Sequence, residues 1–289
     1  INSMYQVLGA FLLAEKIKND FNKTIVVGGP YVTLYADLFF KDKTFIDYAL
    51  TGHGEESLLK LVCSLQGEGK VDDIPSLFYR KRTAVKYNPR KQAHIDEQPL
   101  PDYSGLDISL YREKHKGKNI LPMPYSVSRG CANKCAFCIY SAIDGQWARK
   151  DISKVIEDLK FLQKEYNTDI FIFEDTNFNL SYTYVDSLCE AMMEAGVRIR
   201  WKARVEPRNL DSKLLKKMKQ AGCWKLEWGL ESGSYKLQRT MQKRVDEKNQ
   251  LEILRFSHEE GITNCVYLMI GYPYETVDDL KQTAAMIRE

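Results

Sequence analysis

The spacing of hydrophobic and polar positions changes character twice along the chain. Over the first 70 or so residues, helically spaced apolar positions alternate with short solid apolar runs. The opening stretch, INSMYQVLGAFLLAEKIKND, sets acidic and basic residues beside its apolar ones. It predicts an amphipathic helix of a folded domain, not a signal peptide. In KTIVVGGPYVT the run from Ile25 to Val27 stops at Gly28-Gly29-Pro30, the pattern of a parallel strand buried on both faces. FIDYALTGHGEESLLKLVCSL repeats the cycle with a strand, a glycine-flanked turn and a helix starting near Glu55. The acidic pair Glu55 and Glu56 suits the positive end of that helix. This alternation predicts a doubly wound α/β sheet, with its glycines at the carboxyl ends of strands, where such sheets bind ligands.

The regular spacing is then lost from Val71 to about residue 121. SLFYRKRTAVKYN predicts a small hairpin, and EQPLPDYSGLDISLY a proline-rich extended connector. From residue 122 the β/α pattern returns, with strands expected in YSVS, DIFIFED, RIRWKARV, CWKLEWGL and TNCVYLMIGYP. The helices between them are expected at about 152–166, 181–195, 211–221, 235–260 (with a break allowed) and 276–288. Five repeats predict parallel strands joined by right-handed crossovers and closing toward a barrel, short of the full eightfold fold. The expected class is α/β, divided into a partial doubly wound domain (1–70), a hairpin and linker (71–121) and a partial β/α barrel (122–289). The chain begins without Met and ends on KQTAAMIRE in mid-pattern, so we expect it to be an internal piece of a longer protein.

Composition narrows the function. The 289 residues carry 42 basic and 39 acidic side chains, a net charge of +3 that gives no reason to expect a nucleic-acid partner. No run approaches the roughly 18–20 apolar residues of a membrane span. GEGK at 67–70 lacks the Ser or Thr and the preceding strand of a phosphate loop. Seven cysteines without a disulfide pattern point to a reducing, cytoplasmic setting. Four of them, Cys63, Cys189, Cys223 and Cys265, stand singly in apolar surroundings and are expected to act as small buried hydrophobes.

The other three cluster in RGCANKCAFCIY, at Cys131, Cys135 and Cys138, in the loop expected after the first barrel strand. A closed zinc site takes four ligands, usually as two separated pairs. Here His115 lies sixteen residues upstream and Cys189 more than fifty downstream. Three thiolates suit a [4Fe–4S] cluster better, because they leave one iron open to another molecule.

The spacing C-x-x-x-C-x-aromatic-C, formed by Cys131, Cys135, Phe137 and Cys138, resembles the signature of the radical S-adenosylmethionine (SAM) enzymes. The resemblance runs over residues 122–289 and implies that the three cysteines hold the cluster, that the open iron chelates SAM, and that Phe137 lies by the adenine. By the same resemblance Glu174 and Asp175, in FIFEDTNF, stand where the family contacts the methionine amino group. WGLESGSYKLQRTMQK resembles the G-x-[EQ]-S segment, implying Glu231 on the ribose hydroxyls and Lys243 on the methionine carboxylate. Arg204 is expected to project from a strand end and pair with an acid on the same face. MIGYPYET resembles a G-x-P-G-E-T turn in which Tyr274 replaces the glycine.

Residues 1–70 resemble the second half of the cobalamin-binding domain of one radical SAM subgroup, through VVGGPYVT, with Gly28 and Gly29, and DYALTGHGEESLLKL. In that subgroup the glycines let backbone approach the corrin's nucleotide tail. The resemblance puts any Asp-x-His-x-x-Gly cobalt-ligating motif before Ile1, and His53 is not assigned that role. It implies reductive cleavage of SAM to a 5′-deoxyadenosyl radical, a flavodoxin- or ferredoxin-like electron donor, and methylation of an unactivated carbon of a small molecule or peptide. Oxidative cyclisation, methylthio transfer and a non-catalytic cofactor sensor are the alternatives. No residue is given a catalytic role beyond holding cofactors.

Overall fold

A computed structural model describes residues 1–289 except 92–94, 116, 244–246 and 289. It divides into two compact units, Ile1–His94 with Ile139–Gln146, and Ile95–Cys138 with Trp147–Glu289. No helix of the described residues is long and apolar enough to cross a membrane.

In the first unit, α1 (Met4–Phe21) leads to β1 (Val26–Val27), α2 (Pro30–Phe39), β2 (Tyr48–Leu50) and α3 (Glu55–Leu65). β1 and β2 pair in parallel, as the crossover through α2 requires. The run at 25–27 is not buried on both faces. Ile25 is buried, but Val26 is 37% exposed, because β1 is the end strand of this sheet. The expected hairpin forms as β3 (Leu77–Lys81) and β4 (Ala84–Tyr87), yet it is no linker. β3 pairs antiparallel with β2 and extends the sheet to the order β1-β2-β3-β4. Leu77 and Tyr79 then bury against Leu50, Leu61 and Ile74. This corrects the boundary expected at residue 70, because the first unit continues to His94 and also includes α4 (Tyr140–Ile143). Arg90 ties α4 in place, donating to the carbonyls of Ala142 at 2.7 Å and Ile143 at 3.1 Å.

In the second unit, β5 (Glu113–His115) and β6 (Lys118–Ile120) form a small hairpin before β7 (Pro122–Tyr125). β8 (Ser128–Arg129) pairs antiparallel with β9 (Ala148–Arg149), closing the base of the cysteine-bearing segment. The β/α repeats follow as α5 (Ile152–Tyr166), β10 (Ile170–Phe173), α6 (Tyr182–Glu194), β11 (Arg200–Val205), α7 (Ser212–Gln220) and β12 (Cys223–Glu231). After these come α8 (Tyr235–Thr240), α9 (Glu247–Glu259), β13 (Thr263–Leu268) and α10 (Val277–Arg288). Five strands pair in parallel in the order β13-β12-β11-β10-β7, the open sheet of a partial barrel.

Local chemistry sets the helix starts. The side chains of Ser181, Asp211 and Ser234 accept from the backbone N–H groups of Tyr184, Leu214 and Leu237. The break allowed for in the helix over 235–260 falls after Thr240, where Gln242 takes a left-handed φ of 56°, and helix is present again from Glu247; residues 244–246 lie outside the described residues. The first barrel strand is PMPY rather than YSVS. An end strand hydrogen-bonds on one side only, so it tolerates the missing N–H groups of Pro122 and Pro124. Alternation along the strands turns Phe171, Phe173, Trp201, Leu226 and Trp228 toward the helices, where they form one core with residues such as Leu159, Leu188 and Leu215.

Candidate functional site

The cysteine loop follows β8 and is anchored at several points in the second unit. Asp175, two residues beyond the end of β10, is 1% exposed and accepts from the backbone N–H of Val127 at 3.2 Å and of Ser128 at 2.6 Å. It also accepts from the Ser128 hydroxyl at 2.5 Å. Burial raises its carboxyl to about 6 against the pull of these hydrogen bonds. Further along, the Asn133 amide donates to Glu206 at 3.0 Å, while Arg208 donates to Asn133 at 2.7 Å and to Glu206 at 2.7 Å. The Ala136 N–H donates to the Met241 carbonyl at 2.9 Å, and that of Cys138 to the Cys135 carbonyl at 3.0 Å. Cys131, Cys135 and Cys138 are free, partly buried thiols, and Phe137 beside them is also partly buried. Burial pushes the Cys131 and Cys135 thiols up; Lys243 opposes this at Cys135, and Glu206 reinforces it at both. A cavity of about 550 Å³ opens beside the loop, lined by Asn133, Cys135, Glu206, Arg208, Arg239 and Lys243 among others.

The other expected site residues gather at the carboxyl ends of the strands. Glu231 ends β12 with a left-handed φ of 68°, a strained conformation for a side chain of this kind, and accepts from Lys243 Nζ at 3.0 Å. Lys243 also donates to the Gly229 carbonyl. Glu174 faces the side opposite Asp175 and binds Arg204 at 2.6 Å, so Arg204 pairs with an acid on its own face. The adjacent acids therefore part company. Glu174 remains 40% exposed at its side chain, whereas both Asp175 oxygens are engaged by residues 127 and 128. Tyr274 holds a φ of 71° and is 83% exposed. A glycine would take that φ without strain, which explains why the turn it resembles carries one. Gly28 and Gly29 belong to the first unit, at the end of β1.

The radical SAM superfamily model matches residues 125–287, more than half of the chain. The chain belongs to that superfamily. It is 27% identical to an uncharacterised methyltransferase of Pyrococcus horikoshii, over 98% of this chain and 61% of that protein. It is also 23% identical to the anaerobic magnesium-protoporphyrin IX monomethyl ester cyclase of Rubrivivax gelatinosus, over 99% of this chain and 52% of that protein. The chain thus spans 61% or less of the length of these two relatives. Its fold resembles the cobalamin-dependent SAM radical enzyme OxsB, with a TM-score of 0.83 at 19% identity, covering 100% of this chain and 43% of OxsB. It also resembles the methyltransferase TsrM of Kitasatospora setae, with a TM-score of 0.76 at 18% identity, covering 98% of this chain and 56% of TsrM.

This radical SAM chain also uses residues that sequence reasoning missed. Asn133, Glu206 and Arg208 brace the loop across a sequence gap of 73 residues from Asn133 to Glu206, so local spacing carries no signal for them. Gly229 leaves room for the Glu231–Lys243 pair, because a Cβ there would lie 3.0 Å from both side chains. Gly233 lets α10 approach, since a Cβ would lie 2.7 Å from the Gln282 carbonyl oxygen. Ser234 then donates to Asp279 at 2.6 Å. For these two glycines the G-x-E-S-G-S run was itself the signal. Cys189 and Cys223 are buried in the core, as expected, and burial lifts the Cys189 thiol to about 12. Cys63 and Cys265 are only partly buried.

Proposed function

We propose that this protein is a cobalamin-dependent radical SAM enzyme that methylates an unactivated carbon of a small molecule or peptide. The observation that carries the reading is the braced loop, which presents three free thiols beside the strand ends where Glu174, Arg204, Glu231 and Lys243 gather. Among the described residues no three His, Cys, Asp or Glu side chains converge on a point fit for one metal ion. Three thiolates within eight positions and no fourth ligand near them in sequence favour a cluster with one open iron over a closed four-ligand zinc site. Cys131, Cys135 and Cys138 would hold the cluster, which when bound supplies the electron for cleaving SAM, drawn from a one-electron donor.

The chain's own residues would position SAM. Glu231 bonds the ribose hydroxyls, Lys243 neutralises the methionine carboxylate, and Phe137 flanks the adenine. Glu174 is the acid available to the methionine amino group, since Asp175 is occupied in holding the strand that leads to Cys131. In the first unit the fold itself needs Gly29, whose φ is 102°, but not Gly28 or Gly54. An added Cβ at Gly28 would meet only ordinary contacts from 3.7 Å, and at Gly54 nothing within 4 Å. Bare backbone at those two positions supports close approach of cobalamin. Oxidative ring closure is the second reading, favoured by the alignment of 99% of this chain with the Rubrivivax cyclase.

Anaerobic reconstitution should give about four irons per chain and a reduced-cluster EPR signal perturbed by SAM. Replacing Cys131, Cys135 or Cys138 by Ala should abolish that signal, whereas Cys63→Ala should keep it. Glu231→Ala should retain the cluster and bind SAM about ten- to a hundredfold more weakly, the worth of a charged hydrogen bond. Equal loss on Cys63→Ala, or stoichiometric zinc, would refute the cluster. On gel filtration the full-length protein should retain hydroxocobalamin, this chain alone weakly or not at all, and Gly28→Val should remove it from the full-length protein; its absence from the folded full-length parent would remove the cobalamin reading.

A further inference from the structure

The sheet face of the second unit that turns away from the helices carries charge where a second apolar core would otherwise lie. Strand alternation puts Arg200, Lys202 and Arg204 of β11 on that face with Lys225 and Glu227 of β12. Tyr267 of β13 reaches the same group, its hydroxyl donating to Glu227 at 3.0 Å. Glu227 is 6% exposed and takes Lys202 at 2.9 Å and Lys225 at 3.1 Å on one and the same oxygen, Oε1. Arg204 stands 3.9 Å from its other oxygen and also binds Glu174. Burial alone would raise the Glu227 carboxyl, but these donors outweigh it and hold it at about 2.

Three cations (Lys202, Arg204 and Lys225) thus face two carboxylates (Glu174 and Glu227), a surplus of one positive charge, while Arg200 lies over the Trp224 ring. A purely structural staple across β11 and β12 needs one lysine on Glu227. The second crowds a like charge against the first and is stabilised by a further anion. Each ammonium has three donors, and Glu227 takes one from each. The neighbouring strands differ in chemistry. In register with Lys202 stands Ile172 of β10, and beyond it Pro124 of β7, both at least partly exposed.

We propose that this face binds an organic oxyanion, with Lys202 and Lys225 holding a carboxylate or phosphate head and Ile172 and Pro124 lying against an apolar body. That the bound molecule is the substrate rests on the reading under Proposed function; the binding itself does not. The test is isothermal titration of the reconstituted holoprotein with phenyl phosphate, benzoate and benzyl alcohol. At least one anion should bind about tenfold or more tighter than benzyl alcohol, and the tighter of the two identifies the head group. Lys202→Met and Lys225→Met should each weaken that anion about tenfold or more, while Lys225→Arg should largely retain it. Benzyl alcohol binding as tightly as both anions, or unchanged anion affinity in both Met variants with native circular dichroism, would overturn the proposal. Lysine-dependent anion binding in a protein that forms no SAM-responsive cluster would uphold the site and refute the radical SAM reading. The converse result would uphold that reading and refute the site.

Discussion

Adjacent acids at the end of β10 show how much one step along a strand decides. Successive side chains alternate faces, so Glu174 emerges beside Arg204 while Asp175 enters the protein and holds Val127 and Ser128. Burial raises Asp175 from the usual 3.8 to about 6, so over that interval the folded chain binds a proton that the unfolded chain has released. The stability this contributes is present in full below about pH 4 and is lost as pH rises through about 6. Urea unfolding of the parent and of Asp175→Asn should therefore diverge, the parent losing stability relative to the variant between those two pH values. Parallel profiles would show that Asp175 does not carry the proton. The acid pair was legible in FIFEDTNF; which member is buried was not, because that depends on how the strand meets its neighbours.

Element boundaries were legible where local chemistry sets them. Ser181, Asp211 and Ser234 cap their helices through their own side chains, and Asn167 ends α5 in a left-handed conformation with φ 46°. Sheet position was not legible, as with the prolines of β7 and the pairing of the expected hairpin β3–β4 with β2. Tight turns between elements impose their own limits. Gly222, between α7 and β12, has a φ of 97°, and a Cβ there would overlap the Ile199 carbonyl oxygen. Gly222→Ala should cost at least about 2 kcal/mol, read as a lower urea midpoint, because backbone strain and a backbone clash act together. A midpoint within error of the parent would mean that this turn yields freely.

Across the whole molecule the chain builds separate cores. Residues such as Val32, Phe40, Ile46 and Leu61 serve the first unit, and the large cluster around Trp201 and Trp228 serves the second. All four tryptophans, Trp147, Trp201, Trp224 and Trp228, belong to the second unit. Tryptophan emission in urea should follow one transition, while far-ultraviolet circular dichroism should show a second that emission misses. Coincident curves would establish a single cooperative unit instead. The sequence by itself determined the α/β class, the cysteine triplet and the family, since these rest on spacing between near neighbours that any fold must keep. Only the tertiary structure decided that the hairpin completes the first sheet, that Glu206 braces Asn133, and that Glu227 draws two lysines onto one oxygen. Those outcomes depend on register and on contacts between residues distant along the chain, which no local pattern encodes.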